Sequence, residues 1–374
     1  MPVSSPPHEN IELSSDKNDE VESAALQLVS NSLKTNWTNP SIKKLTEGHS
    51  NNLFAIRPSS KDSDDKKDQG VIVKVYGKNS DLIIDRKEEI RFMLYLTQFQ
   101  MASQLLLTFN DGFIYEYIPG TPVDIHDEQK SLLIARRMAE FHSIPLMKSH
   151  DNQTKAQLSE KLRHFVNLLS GKNDELHKRL DKKGSSILSN LENISWSDIS
   201  NDIDKIEHIF ENKQSKWSHI PVIVCHNDTL IGNFLCDEEN NNAISLIDFE
   251  HCARNMWLFD VFNYFIEFAG MDSVEPDFDG TYPSRSKQQE WLQIYLSHAT
   301  FLHNEKIKMS LDELCDLGDC LRAPIHLYWA LWAFLEALCN PASLKEFDYI
   351  NYGKSRLEEY KNRKDEFFST EVNQ

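Results

Sequence analysis

The chain has 374 residues, 40% of them hydrophobic and 26% charged, enough apolar material for two lobes with a sizeable core. Acidic side chains outnumber basic ones by 58 to 40, and the net charge of −18 argues against a nucleic-acid or anionic-membrane partner while modestly favouring a cationic substrate. The six cysteines (Cys225, Cys236, Cys252, Cys315, Cys320 and Cys339) contain no C-x-x-C pair, so they read as reduced core residues of a cytoplasmic protein and not as a zinc site or a disulfide frame.

Residues 1–18 are polar, rich in Ser and Pro and without an apolar h-region, which predicts a disordered tail and no signal peptide. Val21 to Leu33 has helical apolar spacing. Ile42–Leu45 and Leu53–Ile56 read as strands around the polar turn Thr46–Asn52, which has one glycine; such a turn can lay backbone amides over phosphates, although an ordinary hairpin is the default. After a hydrophilic loop, Val71–Gly77 is an apolar strand with Lys74 inside it. A lysine there needs a partner or a ligand. It either reaches nucleotide phosphates or snorkels to water from an edge strand. Asp85 to Phe99 reads as a helix, and Glu89 in its first turns is the favoured partner of Lys74. A further strand pair, Gln104–Thr108 and Gly112–Tyr117, ends at Pro119-Gly120. That break predicts a hinge, with backbone groups of Glu116 to Ile118 meeting an adenine edge-on. The first lobe therefore spans residues 19–118. From residue 119 to 374 the pattern is mainly helical, and His142 reads as a packed residue at a helix end.

The chemistry concentrates between residues 220 and 250. Val222–Cys225 is a short buried strand that delivers His226, Asn227 and Asp228 onto a loop, and Asn233 follows five residues after Asp228. Phe234–Cys236 and Ala243–Ile247 flank a polar hairpin turn and end at Asp248. A hairpin brings its ends together, so Asp228, Asn233 and Asp248 can converge at one mouth. Phosphoryl transfer needs such a set: one carboxylate to accept the proton of an alcohol, and an amide and a second carboxylate to hold Mg²⁺ against the phosphates of ATP. The spacing His-x-Asp-x-x-x-x-Asn equals that of the protein-kinase catalytic loop, but Glu250 stands where Asp-Phe-Gly would have its glycine. That departure points to small-molecule kinases. The bland alternative is a surface loop with ordinary Asn and Asp turn residues.

Beyond the hairpin, Asn255–Ala269 is dense in aromatics, and Asp260, Asn263 and Glu267 form one polar stripe on it. Buried polar groups need partners. Asp260 would most simply brace the backbone of the catalytic loop, and Glu267 would face a cationic ligand. Ile325–Cys339 is too short for a membrane span and reads as a buried helix, with His326, Trp329 and Trp332 on one face. Two indoles near a carboxylate suit an ammonium group, although aromatic core packing is the commoner explanation.

These stretches resemble the choline/ethanolamine kinases, and more closely the ethanolamine kinases. The carriers are V-I-V-K-V-Y-G at Val71–Gly77, Asp85-Arg86 with Glu89, Y-E-Y-I-P-G at Tyr115–Gly120, the H-N-D-x-x-x-x-N loop, and I-D-F-E at Ile247–Glu250. Asn255, Phe259–Gly270, Tyr282-Pro283, Gln289-x-Trp291-Leu292 and Y-W-A-L-W at Tyr328–Trp332 continue them. The resemblance implies an α+β, bilobal protein-kinase-like fold with a small β-rich N-lobe and a large, mostly helical C-lobe. It implies ATP and Mg²⁺ between the lobes and an amino alcohol in the C-lobe. By position Asp228 would be the base, Asn233 and Asp248 the metal ligands, and Lys74 the phosphate-binding cation. Ser50 and Asn51 would lie in the phosphate loop, and Glu267, Trp329 and Trp332 would border the amine. The family often has Arg at position 74 and Gly at position 47, where this chain has Lys and Glu. After Glu267 the segment Phe268–Asp272 lacks the tyrosines of choline kinases and adds Asp272. A primary ammonium needs hydrogen-bond acceptors more than aromatic walls. The expectation is thus phosphorylation of ethanolamine, the first step towards phosphatidylethanolamine. The alternatives are a choline or dual-specificity kinase and a non-catalytic binding scaffold. Self-association into a homodimer is left open.

Overall fold

Alternation along the strands decides which side chains meet in the first lobe. In the computed structural model, which describes residues 5–14, 18–33, 35, 37–45, 51–59, 70–147, 155–270, 276–302 and 309–371, this lobe is a six-stranded sheet of order β1-β5-β6-β4-β3-β2. Its elements in chain order are β1 (His8–Glu9), α1 (Asn18–Ser32), β2 (Ser41–Leu45), β3 (Asn51–Arg57), β4 (Val71–Tyr76), α2 (Arg86–Thr97), β5 (Leu105–Phe109) and β6 (Gly112–Glu116). On β4, Val71, Val73 and Val75 point to the outer face and pack with Phe54, Ile56, Ile114 and the apolar side of α1. The period of two sends Ile72 and Lys74 to the opposite face, which lines the cleft between the lobes. Lys74 is placed by three valines that must be buried elsewhere.

The tail expected over residues 1–18 is corrected for residues 5–14. β1 pairs in parallel with β5, Leu13 is buried, and Asp111 in the β5–β6 turn accepts hydrogen bonds from the amides of Leu13 (2.9 Å) and Ser14 (2.7 Å). The polar composition conceals this anchoring because backbone pairing and one carboxylate supply most of it. Residues 46–50, with Glu47 and Ser50, lie outside the described residues, as does Asp272.

The link between the lobes passes through Gly120, whose φ of +124° suits a residue without a Cβ; a Cβ there would sit 2.9 Å from the carbonyl of Cys236. The second lobe then runs β7 (Thr121–Pro122), α3 (Glu128–His142), α4 (Leu158–Leu169), α5 (Glu175–Arg179), α6 (Lys182–Ser189), α7 (Trp196–Glu211), β8 (Val222–Cys225), β9 (Phe234–Asp237), β10 (Ala243–Leu246), β11 (Ala253–Met256), α8 (Trp257–Ile266), α9 (Arg285–His298), α10 (Leu311–Cys339) and α11 (Tyr349–Ser369). The helix read over Asn255–Ala269 starts two residues later than its aromatic density suggests, because Ala253–Met256 pairs antiparallel with β8 first. Among the described residues no helix is long and apolar enough to cross a membrane.

α10 is the axis of this lobe. Ser310 and Glu313 form a capping box at its start, and from Leu321 to Cys339 every residue is buried. Gly318 lets it approach α8 closely: a Cβ at that position would fall 1.8 Å from the ring of Phe262. α11 packs along α10 and closes the far side of the same core. Three helices remote in sequence thus bring Glu267, Trp329 and Arg356 into one neighbourhood.

Candidate active site

The catalytic-loop sequence lies between β8 and β9, and one carboxylate fixes its path. Asp260 on α8 accepts the amide of Asn227 on Oδ1 (2.8 Å) and the amide of His226 on Oδ2 (2.6 Å). Its Oδ2 also accepts His142 Nε2 at 2.9 Å, and His142 Nδ1 lies 2.7 Å from the Tyr295 hydroxyl. A carboxylate cannot donate, so His142 donates to it from Nε2. Asn227 takes the left-handed conformation (φ 62°) that Asn tolerates, and its side chain is held at both ends, by the His251 carbonyl (3.0 Å) and by Asn255 Nδ2 (2.9 Å). The next residue, Asp228, has little freedom of direction as a result. Asp260 thus bonds the backbone of this loop, and His142, read from sequence as a packed residue, bonds Asp260 in turn.

Asp228 Oδ2 accepts from Asn233 Nδ2 at 2.9 Å. The Ile247 amide donates to the Asn233 carbonyl at 3.1 Å, which sets the start of the Asp248 turn beside Asn233. Asp228, Asn233 and Asp248 therefore meet at one mouth. Burial and the like charges of Asp248, Glu267 and Glu250 push the Asp228 carboxyl well above the usual range. Asp248 itself has φ 61° and ψ 74°, an uncommon conformation for a residue other than glycine, and this turns its carboxylate towards Lys74.

Lys74 donates to Glu89 (2.7 Å), Asp248 (2.8 Å) and Glu250 (2.9 Å). Burial opposes its charge, but these carboxylates outweigh burial and hold the ammonium well above its ordinary value. Arg86, one helical turn before Glu89, bonds both Glu89 (2.8 Å) and Glu250 (2.9 Å). Asn51 is drawn into the same network, donating to Glu250 at 2.8 Å and accepting from Arg86 at 2.9 Å. Burial works against the Glu250 charge, but Lys74 and Arg86 hold it ionised, well below the usual carboxylate range. The oxygens of Glu89, Asp248 and Glu250 lie within 4.8 Å of one another, and Lys74 bonds all three. Glu250 and Arg86 were not picked as site residues from sequence. The signal was present: a charge in place of the glycine after Asp248, and an arginine three residues before Glu89.

A cavity of about 400 Å³ opens beside this network, lined by Ile72, Lys74, Phe113, Tyr115, Ile118, Asn233, Asp248 and Phe249 among others. Ile118 lines it, whereas the Glu116 side chain is exposed at the end of β6. The aromatic and aliphatic walls near the link between the lobes and the charged end at Lys74 give it an apolar-to-polar gradient.

On the C-lobe side, Trp329 donates from Nε1 to Asn263 Oδ1 (2.8 Å), and Asn263 donates in turn to the Thr229 hydroxyl (3.1 Å), one residue after Asp228. The Trp329 and Trp332 rings meet edge to face at 5.3 Å, and Tyr349 stands 5.7 Å from Trp332. Glu267 is buried, with Arg356 3.6 Å away. Its charge acts on Asp228, so the indoles, Glu267 and the catalytic loop form one connected region. The turn before α2 is tied to the C-lobe: Asn79 donates to the Cys339 carbonyl (3.2 Å), Asp81 pairs with Arg179 (2.8 Å), and His164 bonds the Leu82 carbonyl (2.7 Å).

A strand-borne lysine paired to a helix glutamate, over an Asp…Asn loop and a second Asp, defines a protein-kinase-like phosphotransferase fold. Solved structures agree. The chain is similar to an ethanolamine kinase of Plasmodium vivax (TM-score 0.74, 22% identity, covering 92% of this chain and 89% of that one). It is also similar to the choline kinase LicA of Streptococcus pneumoniae (TM-score 0.61, 15% identity, covering 92% of this chain and 98% of that one) and to the aminoglycoside phosphotransferase APH(2")-IIa in a gentamicin complex (TM-score 0.54, 15% identity, 92% and 97% covered). The sequence model of the choline/ethanolamine kinase family matches residues 42–361, and the chain belongs to that family. Among curated relatives it is 31% identical to an ethanolamine kinase of Drosophila melanogaster over 81% of this chain, and 29% identical to ethanolamine kinase 1 of Homo sapiens over its whole length. The aligned region spans 55% of the fly protein and 78% of the human one.

Proposed function

We propose that the protein transfers the γ-phosphoryl group of ATP to the hydroxyl of ethanolamine. The observation that carries this reading is the convergence of Asp228 with Asn233, 2.9 Å apart, and with Asp248, which lies 2.8 Å from the Lys74 ammonium. Asp228 accepts the alcohol proton and aims the oxygen in line with the phosphorus. Lys74 binds the phosphates, Glu89 holds Lys74, and the backbone from Glu116 to Ile118 meets the adenine. Asn51, with Ser50, belongs to the phosphate loop. Asp260 keeps the Asp228 loop rigid.

The donor chemistry fits Mg²⁺: Asn233 spends its amide N–H on Asp228, which leaves its oxygen as a ligand, and Asp248 spends one oxygen on Lys74 and keeps the other. Asn233 and Asp248 would hold the ion, which when bound would neutralise phosphate charge. The amine sits by Glu267, Trp329 and Trp332. Carboxylate oxygens satisfy the N–H donors of a primary ammonium, and that favours ethanolamine over the donor-free choline.

A coupled ADP-release assay across a panel of small amino alcohols tests the proposal. It expects ethanolamine to give the highest kcat/KM. A higher value with choline overturns the substrate, and background rates with every amine overturn the kinase reading in favour of a binding scaffold.

A further inference from the structure

One arginine joins four segments on the phosphate side of the cleft. Arg86, the first residue of α2, has two N–H groups on each terminal nitrogen, and it uses all of them. Nη1 donates to Glu89 Oε2 (2.8 Å) and to Glu250 Oε2 (2.9 Å). Nη2 donates to Asn51 Oδ1 (2.9 Å) and to the Ser80 hydroxyl oxygen (2.6 Å). These acceptors lie on α2, after β10, at the start of β3 and in the turn before α2. The guanidinium carbon stands 4.3 Å from the ring of Tyr76, the last residue of β4. Asn51 is held at both ends, because its Nδ2 donates to Glu250 Oε2 at 2.8 Å. Arg86, Asn51 and Glu250 thus close a ring of three hydrogen bonds.

Two features separate this arginine from an ordinary ion-pair partner. The first is its geometry. A planar fork sets the directions of four acceptors at once, whereas a lysine offers three N–H groups from a single point. The second is its cost. Burying a charge loses about as much as its pairs return, and Arg86 Nε is buried without a hydrogen-bond partner among the described residues. Stability is therefore a poor reason for a guanidinium here, and fixed position is a better one. The ring also spans the lobes. Asn51 belongs to the sheet of the first lobe, and Glu250 follows Asp248 by two residues in the second. Ser80 sits between two residues tied to the second lobe: Asn79 bonds the Cys339 carbonyl, and Asp81 pairs with Arg179.

We propose that Arg86 is a positioning residue for phosphoryl transfer: it fixes Asn51 of the first lobe against the turn of the second that carries Asp248 and Glu250, so that the phosphate-binding segment and the metal ligand meet the nucleotide at a set spacing. The proposal rests on the reading that Asn51 and Asp248 face the phosphates of ATP. Without Arg86, Asn51 keeps only its bond to Glu250, while Lys74 keeps Glu89, Asp248 and Glu250. The four acceptors of Arg86 are remote from the amine, so the loss falls on the nucleotide.

The test uses the full chain with Arg86→Lys, Asn51→Ala and the double variant. Arg86→Lys keeps a cation beside Glu89 and Glu250 but loses the fork. Its KM for ATP is expected to rise about tenfold or more, with the KM for ethanolamine within about twofold of the parent. A KM for ATP within about twofold of the parent, or a parallel rise in both KM values, overturns the proposal. Calorimetric titration with ADP and Mg²⁺ supplies a readout free of catalysis. Arg86 acts through Asn51, so the double variant is expected to bind ADP within about twofold of Asn51→Ala alone. Losses of affinity that multiply in the double variant overturn the proposal. Ser80→Ala, which loosens Arg86 and strands no charge, gives the same comparison if Arg86→Lys does not fold. If the parent chain ignores ethanolamine but the ADP titrations show coupling, the substrate reading fails and the role of Arg86 stands. An active ethanolamine kinase with multiplying losses sinks only the Arg86 proposal, and a parent chain that binds no ADP overturns the nucleotide reading and this proposal together.

Discussion

The two halves of the cleft solve the problem of buried charge differently. On the phosphate side Lys74, Arg86, Glu89, Asp248, Glu250 and Asn51 come from both lobes and bond one another at 2.7 to 2.9 Å. On the amine side the groups come from α8, α10 and α11 of one lobe, the charges are few, and Glu267 and Arg356 stand 3.6 Å apart. A dense network holds its shape before the nucleotide arrives, since Glu89 and Glu250 each have more than one donor and each cation more than one acceptor. The pair at 3.6 Å is held by charge and not by a fixed N–H···O bond. The phosphate side is thus preorganised, and on the proposed reading the amine side is where the substrate ammonium enters.

Asp228 sits where the two halves join, and its loss is expected to have the largest effect. Asp228→Ala should lower kcat by about 100- to 10,000-fold, the range for removing a general base. Calorimetric titration should still register amine binding, because Glu267 and the indoles remain. A kcat within tenfold of the parent would place the base elsewhere.

Lys74→Met breaks the phosphate side. It leaves Glu89 and Glu250 sharing Arg86 alone and removes the one cation bonded to Asp248 in the network. Removing one partner of a buried ion pair costs about 3–5 kcal/mol, so urea unfolding should show a loss of that order and the KM for ATP should rise. The KM for ethanolamine should hardly move. A rise shared equally by both substrates would erase the distinction between the halves.

Asp260→Asn probes the support common to both. An amide group has one accepting oxygen where Asp260 uses two, so it cannot accept from His226 N, Asn227 N and His142 Nε2 together. The expected result is a fall in kcat of about tenfold or more, with both KM values near the parent, because Asp228 loses aim and not contact. Stopped-flow measurement of the phosphoryl-transfer step checks this. An unchanged rate would mean that Asn227, held at both ends, is a sufficient brace.

What the sequence disclosed follows the same division. Lys74, Asp228, Asn233 and Asp248 were legible because each stands at a strand or at its exit, where alternation and short spacing predict direction. Glu89 was legible from charge placement in the first turns of α2. Asp260 and Glu267 were legible as a stripe on an otherwise apolar helix. Arg356 was not, because nothing local marks it: its partner lies 89 residues earlier, and α11 is rich in charges that mostly face water. Residues 5–14 were misjudged for the related reason that backbone pairing to β5 leaves no trace in composition. Long-range pairing, not residue chemistry, is what the sequence withheld.

The smallest expected effect falls on the amine side. Trp329→Phe keeps an aromatic wall but deletes the N–H that Asn263 Oδ1 accepts at 2.8 Å. That oxygen is buried, and stranding a neutral acceptor costs about 1–3 kcal/mol. Part of the loss is recoverable, because Asn263 keeps its own donation to the Thr229 hydroxyl and so stays anchored to the loop that carries Asp228. The KM for ethanolamine should therefore rise only a few-fold, about 1 kcal/mol in binding, with kcat and the KM for ATP close to the parent. The wall remains for choline, which has no N–H to place, so the change should narrow the preference between the two amines rather than abolish activity. If Trp329→Phe instead lowers kcat as much as Asp260→Asn does, the Trp329–Asn263–Thr229 chain belongs to the rigid half of the site, and the boundary of the preorganised groups runs through α10 and not between the phosphate and the amine.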